Sequence, residues 1–209
     1  MSGRREEILD AAVAIADEHG LDAVSMRAVA DRVGVTPMAL YRHIADKSAL
    51  LDGLVGRLLA SLLPADAADL RWDRRLTALA HAARALARSH PWAAQLLFSR
   101  PATTPDGARV VDEIYTALLA AGVPDAEVPR LERLVSTFVL GFVASEASGR
   151  FAAADDRRIR RGAVADGPLT GHARLTPWLR LPVDLTAEFE ADLRDLMHVI
   201  GAVAGTGDR

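Results

Sequence analysis

The residue types between Thr36 and Lys47 suit contact with a nucleic acid. The segment reads TPMALYRHIADK, and Tyr41 and Arg42 stand side by side, with Lys47, the single lysine of the chain, five residues later. Hydroxyl, guanidinium and ammonium groups are the donors that bind phosphate oxygens and base edges. From Ser25 to Lys47 the chain carries four basic and two acidic side chains. The local charge therefore favours an anionic partner, although the formal net charge of the whole chain is −3.

The elements that would position these side chains follow a helix-turn-helix pattern over residues 25–44. Ser25 and Thr36 are good N-caps, and Pro37 suits a first helical turn. Ala30 allows two helices to cross closely, and Gly34 tolerates the backbone of the turn between them. Apolar residues fall where such a unit needs its core: Met26, Val29, Val33, Val35, Leu40 and Ile44.

Burial of that apolar set leaves four side chains facing outward, as on a helix that enters the major groove: Pro37, Met38, Tyr41 and Arg42. An ordinary pair of helices joined by a glycine turn is the alternative interpretation. The two N-caps, the spacing of Ala30 and Gly34, and the basic residues nearby favour the DNA-binding interpretation over it.

Residues 8–55, centred on SMRAVADRVGVTPMALYRHIADKSALLDGLV, resemble the DNA-binding domain of the tetracycline-repressor (TetR) family. The family pattern has a first helix ending in glycine, a T/S-M/V-R-x-A/V-A motif, a V-G-V turn, then L-Y-x-H-F and K-x-x-L-L. This chain departs from it at Ile44, where phenylalanine is frequent, and at Ala45-Asp46, where Pro-Ser is frequent. Both departures keep an apolar anchor and a capping residue, so the resemblance implies the same fold.

The resemblance implies two kinds of DNA contact. Phosphate contacts are expected from Thr36, Tyr41 and Lys47. Base-edge contacts are expected from Arg27, Pro37, Met38 and Arg42, with Arg42 able to bond a guanine and Met38 able to pack on a thymine methyl group. His43 matches a position that supports the helix. For Arg4 and Arg5 two interpretations stay open: a contact with DNA, or a pair of solvated side chains.

The whole sequence predicts an all-α fold, because Ala and Leu dominate and strand-like alternation is scarce. Helices are expected over 4–19, 26–33, 37–43, 47–63, 72–89, 106–121, 126–148 and 187–203, with a short one after Pro91. Residues 151–182 are expected to form a long loop with at most one helical turn. Three regions follow: a three-helix DNA-binding domain at 1–46, a connecting helix at 47–63, and a larger helical domain for effector binding and dimerisation at 64–209.

Two apolar stripes in the larger domain predict a homodimer, since two recognition helices are needed to read a palindromic operator. The predicted interface residues are Leu131, Leu134, Val135, Phe189, Leu193, Leu196 and Ile200. The alternative is that both stripes face the core of the protomer itself.

The run HPWAAQLLFSRP, the helix ending at Ala121-Gly122-Val123, and LVSTFVLGFVASEA resemble the regulatory domain of the TetR branch that contains the tetracycline repressor. That resemblance implies a small-molecule effector, but the His, Asn and Gln ligands of tetracycline have no match, so neither tetracycline nor Mg²⁺ nor any other cofactor is expected. Pocket candidates are the unusual residues of these helices: His81, Arg84, Trp92, Leu96, Tyr115, Phe138, Phe142 and Glu146.

Other function classes find little support. No G-x-S-x-G, P-loop, G-x-G-x-x-G or paired-histidine zinc motif is present, and Asp155-Asp156 reads as a solvated charge run. The chain has no cysteine and no apolar run long enough to span a membrane, so a cytoplasmic protein is expected. The sequence predicts a non-enzymatic repressor that an effector releases from double-stranded DNA; a dimeric regulator that senses a protein partner or nothing is the alternative.

Overall fold

A computed structural model describes residues 2–63, 69–151 and 169–205, and these stretches fold into helices without a β-strand. Ten α-helices occur in the described residues: α1 (Ser2–His19), α2 (Met26–Val33), α3 (Pro37–Tyr41), α4 (Lys47–Ala60), α5 (Trp72–Ser89), α6 (Pro91–Ser99), α7 (Pro105–Ala120), α8 (Val128–Ala147), α9 (Thr170–Leu179) and α10 (Leu185–Ala204). Short 3₁₀ turns cover Leu21–Ala23 and Asp125–Glu127. The predicted all-α fold class is confirmed.

The expected loop over 151–182 is wrong where it can be compared, because α9 lies within it. Gly171 and Pro177 suggest a loop by composition, yet Pro177 falls in the second half of the helix. There Thr176 Oγ1 donates to the carbonyl oxygen of His172 at 2.7 Å, which ties the last turns together. Asp155-Asp156 and the expected boundary after Leu63 at Pro64 lie outside the described residues.

The first three helices form a compact unit because each short helix is capped by its own sequence. The hydroxyl of Ser25 accepts from the amide of Ala28 at 3.1 Å, and that of Thr36 accepts from the amide of Ala39 at 3.2 Å. These caps satisfy amides that a helix start leaves unbonded. The apolar sides of α1, α2 and α3 then meet in a core of fully buried side chains, among them Ile8, Ala12, Val29, Ala30 and Leu40.

Helix α4 belongs to the core of both parts of the chain. Its Gly53 faces α1, where a Cβ would come within 2.9 Å of Leu9 Cδ2, and its Gly56 faces the start of α7, where a Cβ would come within 2.6 Å of Thr104 Oγ1. Arg57 forms ion pairs with Glu6 and Asp10 of α1. One continuous set of buried apolar side chains consequently runs from α1 through α4 into the later helices.

In the larger part, α5, α7 and α8 pack around a core to which α6 and α10 contribute one side each. The side chains of Leu76, Leu118, Leu131, Phe189 and Ile200 are almost completely buried there. Among the described residues, no helix has the length and apolar character needed to cross a bilayer.

Candidate functional site

The turn between α2 and α3 sets the angle between these two helices. Gly34 has φ of +74°, a left-handed conformation that glycine adopts without the penalty a side chain brings. The amide of Val35 donates to the carbonyl oxygen of Ala30 at 3.0 Å, which closes the end of α2. Leu40 is completely buried beneath α3. The opposite side of α3 therefore faces solvent.

The structure places all seven predicted DNA-contacting residues at the surface, on one corner of the molecule formed by α2, α3 and the start of α4: Arg27, Thr36, Pro37, Met38, Tyr41, Arg42 and Lys47. Met38 is 72% exposed, which is unusual for so apolar a side chain. The side chains of Tyr41, Arg42 and Lys47 make no hydrogen bond or ion pair with any other described residue. Their donors are free for a ligand.

Of the two other arginines near this corner, only Arg32 is firmly engaged. Arg32 donates two hydrogen bonds to Glu18 of α1, one of them at 2.7 Å. The hydrogen bond from Arg32 lowers the pKa of the Glu18 carboxyl below its usual value. Arg27 Nε lies 3.9 Å from Asp31 Oδ2, which is a long contact, and the Arg27 side chain is 87% exposed. Arg27, Arg42 and Lys47 thus supply the available positive charge.

The two parts of the chain are joined at both ends of α6. At its start, Trp92 Nε1 donates to Asp17 Oδ1 at 2.7 Å, and His90 Nδ1 lies 2.6 Å from the same oxygen. At its end, Arg100 donates to Asp52 Oδ1 at 2.7 Å and to Ser48 Oγ at 2.7 Å, both on α4. The indole of Trp92 is thus bound to α1 in this joint, and its place in an effector pocket stays a prediction.

A second polar cluster lies where α5, α8 and α10 meet. Arg84 donates from Nε to Glu146 Oε2 at 2.9 Å and from Nη2 to Glu146 Oε1 at 2.7 Å, and Nη2 also reaches Thr186 Oγ1 at 3.3 Å. The guanidinium lies 4.9 Å from the ring centre of Phe189. The hydrogen bond from Arg84 lowers the pKa of Glu146, and the same bond raises the pKa of Arg84. Both groups are therefore held charged.

A partly open cavity of about 70 Å³ lies between α4, α5, α7 and α8. Its walls include Leu59 and Leu62 at the end of α4, Leu76 and Ala83 of α5, Ile114 of α7, and Val139 of α8. Ser136 supplies the one polar side chain of the lining, and its hydroxyl donates to Glu132 Oε1 at 2.7 Å. The cavity is otherwise entirely apolar.

This cavity differs from the pocket that the sequence predicts, because none of the eight predicted residues lines it. Five of them gather around Phe189 instead: His81, Arg84, Phe138, Phe142 and Glu146. Leu96 is buried in the core, and Tyr115 is half-buried on α7. Small and branched apolar residues at helical spacing look the same in a sequence whether they close a core or leave a gap, so the lining of this cavity does not follow from the sequence.

Six of the seven predicted interface residues are buried inside the single chain, so they do not offer surface to a partner: Leu131, Val135, Phe189, Leu193, Leu196 and Ile200. Leu134 alone among the seven is exposed, at 39%. The alternative that both stripes face the protomer's own core therefore holds for these residues. Helices α8 and α10 pack their most apolar sides inward and expose their other sides.

Two family models match the chain over most of its length. The model described as bacterial regulatory proteins, tetR family, matches residues 8–54, and the model of the tetracyclin repressor-like C-terminal domain matches residues 63–191. The chain is 35% identical over 142 residues to the HTH-type transcriptional repressor DrrR1 of Streptomyces coeruleorubidus, covering 68% of this chain and 53% of the relative. This chain thus spans about half the length of that curated relative.

A second relative and a solved structure agree with these matches. An HTH-type transcriptional regulator of Saccharopolyspora erythraea is 31% identical over 163 residues, covering 78% of this chain and 67% of the relative. The structure of BioQ from Mycobacterium smegmatis is 28% identical, with a TM-score of 0.71 and coverage of 95% and 98%. BioQ bound to its double-stranded DNA operator matches at 31% identity, with a TM-score of 0.62 and coverage of 84% and 97%. The chain therefore belongs to the tetR family of bacterial regulatory proteins.

Proposed function

We propose that this chain is a transcriptional repressor that binds a palindromic operator as a homodimer and that a small molecule releases it. The observation that carries the proposal is the outer face of α3, where exposed side chains with free donors stand on a buried apolar base. The exposed side chains of this face add no packing to the fold, but the face fits the major groove of DNA. Its role is binding, with no catalytic step.

Each exposed side chain takes a role that its position supports. Thr36 and Tyr41 carry hydroxyl groups, and Lys47 stands in the first turn of α4, so these three bind phosphates and set the register of the protein on DNA. Arg42 follows the end of α3, and Met38 lies one turn before it, so these two reach base edges. Pro37 packs against the groove, and Arg27 on α2 contacts bases from the neighbouring helix.

The homodimer uses the exposed sides of α8 and α10 in place of the buried stripes. Leu134 and Val199 are large apolar side chains that remain exposed on these helices. On α8 two exposed arginines precede Leu134, Arg130 and Arg133, and on α10 two exposed aspartates precede Val199, Asp192 and Asp195. A two-fold axis that places α8 of one protomer against α10 of the other would bring opposite charges together.

Selection of bound sequences from random double-stranded DNA by the purified protein tests this function. We expect a palindromic site, bound as a dimer. Lys47→Ala should weaken binding to every sequence and reduce its salt dependence, whereas Arg42→Ala should relax preference at one base position, costing ~1–3 kcal/mol there.

Arg109→Ala is the matched control for these two variants, since Arg109 is exposed on α7 and pairs only with Asp106 in the same turn. It should leave DNA binding unchanged. Failure to select any sequence would contradict the proposed function, and equal losses for Arg42→Ala on all sequences would contradict its role in base reading. The double variant Leu134→Glu/Val199→Glu should yield monomers on sizing; an intact dimer would contradict the proposed interface.

A further inference from the structure

An open groove of about 650 Å³ lies between the first turns of α5 and one side of α10. Its volume falls in the range of ~300–1,000 Å³ that is usual for pockets that hold small molecules. None of its lining residues belongs to the lining of the apolar cavity between α4, α5, α7 and α8. The groove is therefore a separate feature of the surface, and DNA binding does not account for it.

The two carboxylates of the groove are already engaged by neighbouring side chains. Arg71 Nε donates to Asp73 Oδ1 at 2.7 Å, and the hydrogen bond from Arg71 lowers the pKa of Asp73. Glu190 Oε1 lies 3.3 Å from His81 Nε2. Neither acid is paired with the other cations of the groove.

Those other cations have no partner. Arg74 of α5 and Arg194 and His198 of α10 are exposed, and they make no hydrogen bond or ion pair with any other described residue. Arg194 and His198 are four positions apart, so they share one side of α10. The lining as a whole has three arginines against two carboxylates, which leaves it positively charged. An anionic group in the groove would therefore find forked guanidinium donors on two different helices.

The rest of the lining is largely apolar. Trp72 and Met197 are half-buried and pack on the core, and Leu193 is almost completely buried. At Gly201 the groove is open, since an added Cβ would meet no atom within 4 Å. A molecule with an apolar body and an acidic group would use both features, because its body leaves water while its charge gains hydrogen bonds. A small inorganic anion or a neutral ring would use only one of them.

We propose that this groove binds an organic anion with a flat apolar body. Its acidic group accepts hydrogen bonds from Arg74 and Arg194. Its body lies on Trp72 and Met197, where the flexible thioether side chain adapts to the shape of the ligand. Binding at this place involves no residue assigned to DNA or to the dimer, so the site stands or falls independently of the proposed function.

Three probes separate the contributions of charge and apolar body. The first, 2-naphthoate, has both; 2-naphthalenemethanol has the same rings without the charge, and acetate has the charge without the rings. Isothermal titration calorimetry of the full chain near neutral pH should show binding of 2-naphthoate. The alcohol and acetate should each bind at least about tenfold more weakly, because each lacks one of the two contributions.

Arginine variants test the role of the two free cations. Arg74→Gln and Arg194→Gln should each raise the dissociation constant of 2-naphthoate about tenfold, since each removes a charge-assisted hydrogen bond. Arg109→Gln is the control, because it removes an exposed arginine of α7 that does not line the groove. It should leave the dissociation constant unchanged.

Gly201→Leu tests the place of binding. An added Cβ meets no atom there, so the variant should fold and direct its side chain into the groove, and 2-naphthoate binding should fall tenfold or more, on the order of the loss from either arginine variant. Gly171→Leu is the matched control. Gly171 is an exposed glycine of α9 that also has no atom within 4 Å of an added Cβ, and it does not line the groove. This control should bind 2-naphthoate as the wild type does.

The groove is not the proposed site if 2-naphthoate fails to bind or if the alcohol binds equally well. Wild-type affinity in Gly201→Leu and in both arginine variants would place the bound 2-naphthoate elsewhere and would overturn the proposal as well. A change of oligomeric state on sizing for Gly201→Leu, with none for Gly171→Leu, would instead assign the groove to a second copy of this chain. Because these titrations contain no DNA, failure to select an operator would contradict the proposed function and leave this site intact.

Discussion

The two parts of the chain use ion pairs in different ways. In residues 2–63 the pairs lie at the surface: Arg32 with Glu18 and Arg57 with Glu6 and Asp10. In the larger part, Arg75 with Glu113 and Arg84 with Glu146 lie between helices and are mostly buried, with side chains 7–17% exposed. Surface pairs add little to stability, whereas a buried charge that loses its partner is costly. The first part is therefore held by its caps and apolar core, and the second depends on particular charged contacts.

Glu146→Leu should give the largest loss of stability, because it leaves the guanidinium of Arg84 buried without its partner. Breaking a buried pair in this way costs about 3–5 kcal/mol. Urea denaturation of the purified protein measures it. The double variant Arg84→Met/Glu146→Leu should recover most of the loss, and Glu18→Leu is the surface control. Similar losses of unfolding free energy for Glu146→Leu and Glu18→Leu would contradict the proposed difference between the two parts.

Gly56→Ala should have the next largest effect, since it tests the contact between the two parts. The new Cβ would meet Thr104, whose side chain is fixed because it caps α7 through the amide of Gly107 at 3.1 Å. Overpacking of this kind costs roughly 1–3 kcal/mol, against about 1 kcal/mol gained in helix propensity. Gly53→Ala meets only the flexible end of Leu9 and should be neutral or stabilising in the same denaturation assay. The reverse order of the two effects would contradict the close fit of α4 against the start of α7.

Acid should weaken the larger part through Glu146. Its pKa is lowered in the folded state by the hydrogen bond from Arg84, so its contribution is complete above the unfolded value of about 4.3. The contribution is lost as the pH falls from there through the folded pKa. Wild-type unfolding free energy should therefore drop more steeply below about pH 4.5 than that of Glu146→Gln. Parallel curves for the two proteins would argue against a strong pair.

Arg32→Ala should have the smallest effect on stability. Arg32 and Glu18 are exposed, so water and salt replace their interaction when it is removed. The melting midpoint should stay within experimental error of the wild type. A clear loss would mean that the surface pair between α1 and α2 contributes to the angle of the DNA-binding unit.

Most of the correct sequence predictions rest on contacts between residues that are close together in the chain. Ser25, Thr36 and Gly34 each act on residues three or four positions away, so their roles in capping and turning follow from sequence. The pairing of Arg84 with Glu146, 62 positions apart, does not. Both residues are predicted to line a pocket because they are unusual on their helices, and the sequence gives no sign that they pair with each other.

The contact between Trp92 and Asp17 escapes the sequence for the same reason. The two residues are 75 positions apart, and only the packing of α6 against α1 brings them together. The interface stripes failed for a related reason: an apolar stripe shows that one side of a helix is covered, and it does not show which chain covers it. Leu193 and Leu196 are covered by their own protomer.

The unbroken apolar core through α4 has a consequence for how operator specificity can evolve. Because α4 is packed from both sides, residues 2–63 and the later helices should unfold in one cooperative transition, and the core of the DNA-binding unit continues through α4 into the later helices. A graft of this unit onto a relative would have to rebuild every side chain that α4 presents to the later helices. Exposed positions such as Met38 and Arg42 carry no such constraint, so point substitutions there offer the shorter route to a new operator.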